Sequence, residues 1–394
     1  MATSSASGRT DRRRTCAAVL AAFWLTGSAC SGGAHLTATG GAGGQAGASG
    51  QAGAGGQAGA GAAGAPDGGA AADCDVGSAG EPTELRCTGL YADWATKALA
   101  AGVRQYDPGL HLWSDGASKT RWIYLPPGAQ IETSNMDEWT FPTGTKVWKE
   151  FVVGGARLET RLVWKRSISA WYLTTYRWSS DGSRADELTT GEVNADGNGF
   201  EIPSQSACTD CHGGRWDVVL GFEAVALSTP AASGVTMATL QAGNLLTAPP
   251  ASPIAIPGDG KAAAALGYLH MNCGVTCHND DGGMGGEVGL NLRLDVGTLA
   301  SVQSTNAWTT AMGQASTFHI PGAGQSFRLA ACDPSSSSAY YRMSVRDGMD
   351  GAADNAQMPP KITHQVDQDG LAALAAWIDD QPQCTSGQRT QRTP

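Results

Sequence analysis

A stretch of glycine and alanine near the amino terminus limits which part of this chain can fold. Residues 40 to 72 are nearly all Gly and Ala, and Gln45, Gln51 and Gln57 mark a six-residue repeat within them. Such a segment has almost no side chain to bury and bears the full entropy cost of ordering, so we predict a flexible linker. About 310 of the 394 residues remain for folded structure, which is enough for two domains.

The segment before the linker has the pattern of an export signal. The run "RTDRRR" (residues 9 to 14) precedes the apolar run "CAAVLAAFWLTG", which is too short to span a bilayer. Small residues then lead to Cys30, as in a bacterial lipobox, although Leu25 lies five positions before Cys30 and not three. We predict a signal peptide over residues 1–29, a lipid on Cys30, the linker over 30–73, and an exported protein anchored at the cell envelope, facing the periplasm or the exterior. Cleavage by ordinary signal peptidase is the alternative.

The charge of the chain argues against nucleic-acid binding. The formal net charge is −10, and loss of a signal with four arginines and one aspartate brings the mature chain near −13. Nucleic-acid binding requires a basic footprint, so we predict no nucleic-acid partner. An acidic protein suits a basic partner protein.

Residues 74–203 contain short alternating runs rich in tryptophan. Turn residues separate five runs that predict strands: "KTRWIYLP" (119–126), "EWTFP" (138–142), "TKVWKEFVV" (145–153), "RLETRLVWKR" (157–166) and "AWYLTTYRWS" (170–179). We predict an antiparallel sheet in which most aromatic residues pack a core. The run "LWSDGASKTR" places Asp115, Lys119 and Arg121 beside a glycine turn, which predicts either a functional loop or a salt-bridged turn.

The run "CTDCH" (208–212) has the spacing at which haem c is attached. The thiols of Cys208 and Cys211 add to the two vinyl groups of haem, and His212 then lies next to the iron as a ligand. Attachment takes place outside the cytoplasm, which agrees with the export signal. Zinc binding and a Cys208–Cys211 disulfide are the alternatives; the first lacks a second close cysteine pair, and the second leaves His212 unexplained. We predict residues 204–258 as the first haem-attachment segment.

The run "NCGVTCH" (272–278) separates its cysteines by three residues where the usual motif has two. Positions i and i+4 of a helix lie on one face nearly as well as i and i+3, so Cys273 and Cys277 can still meet the two vinyl groups. His278 keeps its place directly after the second cysteine. We predict a second covalent haem here, with a disulfide or an empty site as the alternative.

The elements around the second motif have the order of a class I cytochrome c. Asp259 predicts the N-cap of an alanine-rich helix before the motif, and Asp367 the N-cap of a later one. That later helix has an apolar stripe at Leu371, Leu374, Ala375 and Ile378. Met358 lies in a Pro-rich loop before it, and His/Met ligation is the cytochrome c arrangement. We predict Met358 opposite His278, residues 259–384 as a cytochrome c-like domain, and a disordered tail over 385–394.

Nine runs in the following order carry a family resemblance: "LWSDGASKTRWIYLP", "EWTFPTGTKVWKEF", "RLETRLVWKR", "YRWSSDGSRADEL", "CTDCH", "YLHMNCGVTCH", "YYRMS", "MPP" and "AAWID". Over roughly residues 85 to 380 the chain resembles a family of exported bacterial dihaem c-type cytochromes with a tryptophan-rich amino-terminal module. The resemblance implies an α+β multidomain fold, in which an antiparallel β module precedes a mainly α-helical class I cytochrome c-like domain. It also implies one haem at Cys208, Cys211 and His212 and another at Cys273, Cys277, His278 and Met358. The chain departs from the family in the three-residue spacing of the second motif.

The sequence leaves the ligand opposite His212 and the pairing of four cysteines open. The candidate ligands are Met237, His270, Met271, Met284, His319 and Met343. A first haem without a protein ligand there would be open to small molecules. By proximity and elimination the simplest disulfides are Cys74–Cys87 and Cys332–Cys384, and other pairings of these four are compatible with the sequence.

Two functions follow as expectations. A His/Met-ligated iron has no open position, which favours an electron-transfer protein with a redox partner. The alternative is a haem-dependent oxidoreductase, in which the tryptophan-rich module or a five-coordinate first haem binds a substrate.

Overall fold

The structure is a computed structural model that describes residues 74–77, 80–197, 199–281, 283, 285–346 and 356–384. The predicted signal peptide, the lipidation site, the linker and the tail lie outside the described residues, and so does Met284. The described residues belong to one compact unit.

Antiparallel strands dominate the first half of the described chain. Their bounds are β1 Tyr91–Asp93, β2 Ala98–Leu99, β3 Val103–Asp107, β4 Ser118–Tyr124, β5 Lys146–Val153, β6 Ala156–Lys165, β7 Trp171–Trp178, β8 Ala185–Glu187 and β9 Ser233–Gly234. Within the described ranges β1 pairs with β2, and the other seven form one sheet in the order β8-β7-β6-β5-β4-β3-β9. The predicted antiparallel sheet is therefore confirmed, and its last strand comes from the segment that follows the first Cys-His motif.

Four of the five predicted strands agree with β4 to β7 within two residues. The fifth, "EWTFP", was wrong, because only Thr140 forms an isolated bridge, with Glu132. The backbone N–H of Phe141 instead donates to the Asp217 carboxylate at 2.6 Å. The Asp217 side chain thus accepts a hydrogen bond that a carbonyl of a neighbouring strand would otherwise accept. No local sequence pattern predicts this contact.

The two faces of the sheet pack against different parts of the chain. Trp122, Trp148 and Leu162 lie in register on one face, in a small aromatic core. On the other face Ile123, Val147 and Val163 join a larger core that includes helical residues such as Leu266 and Leu374. The tryptophan-rich segment and the helical segment therefore share one hydrophobic core, and the predicted boundaries between them stay predictions.

Helices occupy the second half of the described chain. Their bounds are α1 Cys208–His212, α2 Ala224–Ser228, α3 Met237–Ala242, α4 Gly260–Leu269, α5 Asn306–Ala311, α6 Ser338–Ser344 and α7 Gln368–Asp379. Single 3₁₀ turns cover Leu85–Cys87, Gln205–Ala207, Gly286–Val288, Val296–Thr298, Val302–Ser304 and Pro334–Ser336. No helix in the described ranges is long and apolar enough to cross a membrane. The α+β class is confirmed.

Both predicted helix caps are confirmed. The Asp259 carboxylate accepts hydrogen bonds from the second and third N–H groups of α4, and Asp367 accepts one from Gly370 in α7. The helices α4 and α7 pack closely, since a Cβ atom on Gly370 would lie 2.1 Å from the Tyr268 ring. In the predicted stripe Leu371, Leu374 and Ile378 are buried, and Ala375 is half-buried.

Both expected disulfides are present. Cys74 is bonded to Cys87, and Cys332 to Cys384. The backbone N–H of Cys332 donates to the carbonyl of Ile378 in α7, so the second disulfide fastens the end of α7 to the loop before α6.

Candidate functional site

The first Cys-His motif is a single helical turn. Helix α1 contains the whole run from Cys208 to His212. Nδ1 of His212 lies 2.5 Å from the carbonyl oxygen of Val218, so Nδ1 carries the proton and Nε2 presents a lone pair. Burial, together with the positive charges of Lys149 and Arg161, lowers the pKa of His212 to about 4. The imidazole is therefore neutral at pH 7, which is the form that ligates a metal.

The second motif follows α4 through a π-helical turn over His270–Gly274. The N–H of Val275 donates to the carbonyl of His270 at 2.8 Å, and the N–H of His278 donates to that of Cys273 at 2.7 Å. Both bonds span five residues, where an α-helix spans four. In a Cys-x-x-Cys-His turn the histidine N–H reaches the first cysteine with an ordinary helical bond. The wider turn makes the same connection across one more residue, so it absorbs the extra residue of this motif.

A cavity of about 270 Å³, called the second cavity here, brings the second motif together with the predicted distal ligand. Cys273, Cys277, His278 and Met358 all line it, although Met358 lies 80 residues after His278. The remaining lining is mostly apolar, with residues such as Leu290, Leu292, Phe318 and Leu329.

The imidazole of His278 has an unusual environment within the second cavity. Its Nδ1 is buried beside the backbone of Gly285 and forms no hydrogen bond of good geometry among the described residues. A Cβ atom on Gly285 would lie 2.4 Å from this nitrogen, so only glycine lets the backbone come so close to the ring. Burial lowers the pKa of His278, which keeps its imidazole neutral at pH 7.

A smaller cavity of about 140 Å³, the first cavity, lies at the first motif. It is lined by Cys211 and His212 from α1, by Lys149 and Arg161 from the sheet, and by residues 359 to 363 of the loop after Met358. Cys208 is half-buried, with its Sγ 3.8 Å from the carbonyl of Ser204, and it is not part of the lining.

The two cavities share a wall. Asn272, Cys277, Pro359 and Pro360 line both of them. The turn after the first motif also packs directly on the second motif, because a Cβ atom on Gly214 would lie 2.3 Å from the Thr276 carbonyl oxygen. The structure therefore brings the two motifs side by side.

The loop "LWSDGASKTR" holds this shared wall in place. The backbone N–H of Trp113 donates to the side chain of Asn272 at 2.6 Å. The buried carboxylate of Asp115 accepts hydrogen bonds from the backbone N–H groups of His364 and Gln365, just after the Met358 loop. Lys119 bonds Ser114 and the carbonyl of Leu112. These contacts fasten the loop to the second motif and to the segment after Met358, a positioning role that the sequence did not reveal.

Among the described residues four cysteines are unpaired, and they are the four of the two motifs. Burial raises the pKa of Cys273 to about 12 and that of Cys277 to about 11, and burial also raises the pKa of Cys208 and Cys211. These side chains are therefore neutral thiols at pH 7. Within the described residues no group of three or more His, Cys, Asp and Glu side chains is arranged to hold a bare metal ion.

The candidates for the ligand opposite His212 lie elsewhere. His270 is buried with both nitrogens engaged, by the N–H of Leu294 and by Glu223. Met237 and Met271 pack in hydrophobic cores, Met343 lines the second cavity and His319 is exposed. Among the described residues, those that line the first cavity include no methionine and no histidine other than His212.

Lys149 and Arg161 were missed as site residues by the sequence analysis. Their signal was present, because "TKVWKEFVV" and "RLETRLVWKR" each place a cation on the face of the sheet that also carries core residues. The strand register needed to align them was not readable from one sequence.

Comparison of the chain with family models, with curated proteins and with solved structures finds no match. The chemistry of the two cavities is therefore the basis for assigning a function.

Proposed function

We propose that this protein is an exported c-type cytochrome that holds two covalent haems and transfers electrons. One observation carries the proposal: Cys273, Cys277, His278 and Met358, from two distant parts of the chain, line a single apolar cavity. Two thiols, a neutral imidazole and a thioether are the side chains that attach haem c and ligate its iron from both sides. Bound haem supplies an iron that takes up and releases one electron.

Four residues of the second cavity have a specific role under this proposal. Cys273 and Cys277 would hold a bound haem, and Nε2 of His278 and the sulfur of Met358 would ligate its iron. The apolar lining excludes water, which together with a thioether ligand favours the reduced iron and raises the potential. The packing of α4 on α7 beside this cavity supports the proposal that residues 259–384 form a class I cytochrome c-like unit.

The first cavity supports a second haem, held by Cys208 and Cys211. The hydrogen bond from Nδ1 of His212 to the Val218 carbonyl fixes the ring and leaves Nε2 for iron. Because Cys277 lines both cavities, two haems held at these motifs would lie close together, and the shared wall would separate them within one chain.

A second candidate function rests on the lining of the first cavity. Neither a methionine nor a second histidine lines it among the described residues, so an iron ligated by His212 would keep one position open. The first haem would then bind a small substrate, and the second would carry electrons to or from it. This second candidate function is the haem-dependent oxidoreductase that was expected from the sequence as the alternative.

Counting haems tests the proposal. A pyridine haemochrome assay and the intact mass of the exported protein should both give two haems per chain. Cys277→Ala should leave its haem attached through one thioether at most, and Cys273→Ala/Cys277→Ala should lower the mass by one haem. A wild-type protein without covalent haem would refute the cytochrome assignment.

Carbon monoxide added to the reduced protein distinguishes the two functions, since a spectral change shows an open iron.

Export and anchoring complete the proposal. We propose a lipid on Cys30, a tether formed by the Gly/Ala linker, and a basic redox partner for this acidic protein. The mass of the mature amino-terminal peptide tests the lipid, and the salt dependence of electron-transfer rates tests the charge of the partner.

A further inference from the structure

A row of polar residues crosses the sheet beside the first cavity. Register pairs Tyr106 with Arg121, Arg121 with Lys149, Lys149 with Arg161, and Arg161 with Thr175. The three central residues, called the cation row here, lie directly opposite one another on β4, β5 and β6. Like charges in directly opposed cross-strand positions repel, so this arrangement is unfavourable by itself.

The cation row is short of negative charge. Arg161 has a carboxylate partner, with Nε 2.9 Å and Nη2 2.6 Å from the two oxygens of Glu159. Arg121 is 3% exposed and Lys149 is half-buried. Neither side chain forms a hydrogen bond or an ion pair within the described ranges. Burial, and then the neighbouring cations, lower the pKa of Lys149 far below its ordinary value. A buried charge without a counter-ion is costly, and Lys149 avoids this cost by losing its proton. A carboxylate placed between Arg121 and Lys149 would stabilise both side chains in their charged forms.

The residues that flank the cation row on either side also lack hydrogen-bond partners. The hydroxyls of Tyr106 and Thr175 are buried and have no hydrogen-bond partner among the described residues. Among the five polar residues in register, only the side chain of Arg161 therefore has a hydrogen-bond partner within the described residues. The row has donors in excess and needs acceptors.

The position of the row points to the ligand that would supply them. Lys149 and Arg161 line the first cavity together with Cys211 and His212. Arg121 lines an open cavity of about 600 Å³, which shares Leu112, Trp113 and Ser114 with the first cavity. A group attached at the first motif would thus lie against the cation row.

We propose that the cation row binds the propionate carboxylates of the haem attached at Cys208 and Cys211. This inference rests on the proposed function. A haem carries two propionates, and Arg121 and Lys149 are the two cations without a carboxylate partner. Hydrogen bonds between ionised partners are the stronger kind, and an arginine can bind a carboxylate through two of them. The row thereby fixes the orientation of the first haem and sets its charge environment.

The test compares Lys149→Gln with Lys146→Gln in the haem-loaded full chain. Lys146 is a matched control, because it lies on the same strand but on the opposite face, with its Nζ 2.7 Å from the Thr88 carbonyl. Loss of a nearby positive charge stabilises the oxidised iron. In Lys149→Gln we expect the reduced-to-oxidised ratio of one haem to fall about tenfold at fixed potential, which is about 59 mV for one electron. The other haem and both haems of Lys146→Gln should keep their ratios.

Infrared difference spectra between the oxidised and reduced states identify the contact itself. The haem carboxylate bands should shift in Lys149→Gln and stay in place in Lys146→Gln. Arg121→Gln should shift the haem carboxylate bands and the reduced-to-oxidised ratio in the same direction. It replaces Lys149→Gln in the test if that variant does not fold. Two attached haems with unshifted carboxylate bands in these variants would overturn the inference and leave the cytochrome assignment standing, whereas absence of haem would refute the assignment itself.

Added inorganic phosphate tests whether the row binds a soluble anion. With the propionates in place, phosphate should leave both potentials of the wild-type protein unchanged. A phosphate-dependent shift that disappears in Lys149→Gln would show that the row is open to soluble anions, and it would contradict the proposal.

Discussion

The two cavities are built around nearly the same motif but differ in everything that the rest of the chain adds. The first motif is a regular helical turn, its histidine donates to the Val218 carbonyl, and the sheet contributes cations to its cavity. The second motif follows a π-helical turn, and Nδ1 of His278 forms no hydrogen bond of good geometry among the described residues. Its cavity is mostly apolar and is lined by two methionines, Met343 and Met358.

Under the proposed function, this difference means that a Cys-His motif specifies only where a haem is attached. The reduction potential and the access of small molecules depend on the opposite ligand, on nearby charge and on the hydrogen bonds of the histidine. The opposite ligand and the nearby charge come from the Met358 loop and from β5 and β6, which are remote from the motifs in sequence. The hydrogen bond of the first histidine comes from Val218, six residues after His212. Under the proposed function, the second haem therefore has the higher potential, and the first is the one that can be open.

Substitution of Met358 should have the largest effect, because it removes the clearest difference between the cavities. Met358→Leu keeps the volume but replaces the sulfur that we propose as an iron ligand. We expect the potential of the second haem to fall by a sizeable part of the roughly 0.8 V that axial ligands span, and its reduced form to bind carbon monoxide. Spectroelectrochemical titration and the carbon monoxide spectrum measure both effects.

Met343 provides the matched control for this substitution. It lines the same cavity and is buried in the core, and Met343→Leu conserves volume at a cost of less than about 1.5 kcal/mol. We expect Met343→Leu to leave the second haem six-coordinate. If the second haem had the same reduction potential in the wild-type protein and in Met358→Leu, Met358 would not be an iron ligand. The proposed difference between the two cavities would then lose its main support.

The short-range features of the two sites could be predicted from the sequence, whereas the features that depend on tertiary packing could not. The caps at Asp259 and Asp367 and the run around Met358 could be identified because their signals are short-range. The π-helical turn was not predicted, because the pattern around His270 also fits an ordinary helix. The cation row depends on strand register, and the shared wall at Asn272 depends on how distant segments pack. Both therefore required coordinates.

The disulfides test whether the two cavities depend equally on the fold around them. Cys332–Cys384 closes a loop of 52 residues beside the second cavity, and Cys74–Cys87 one of 13 residues next to the sheet. Loop-closure entropy predicts that Cys332→Ala/Cys384→Ala lowers the free energy of unfolding by about 4 kcal/mol, and Cys74→Ala/Cys87→Ala by about 3 kcal/mol. Denaturant unfolding of the haem-loaded protein measures both.

Haem absorbance during the same unfolding experiment shows which cavity opens first. Leu329 lines the second cavity and lies three residues before Cys332. We therefore expect loss of the Cys332–Cys384 disulfide to disturb the second haem at lower denaturant than the first. Simultaneous loss of both haem signals would mean that the shared core unfolds as one unit and that the second cavity has no separate dependence on this disulfide.

Gly285 offers the smallest and most local change, confined to the histidine of the second cavity. Its φ of −95° is open to any residue, so Gly285→Ala brings no backbone strain, but the new Cβ atom would lie 2.4 Å from Nδ1 of His278. Moving the ring aside should cost about 1–3 kcal/mol and weaken its bond to iron. The control is Gly297→Ala, where an added Cβ atom meets nothing within 4 Å. Gly285→Ala should shift the potential of the second haem alone, and a shift of the first haem of the same size would show that the shared wall transmits the change between the cavities.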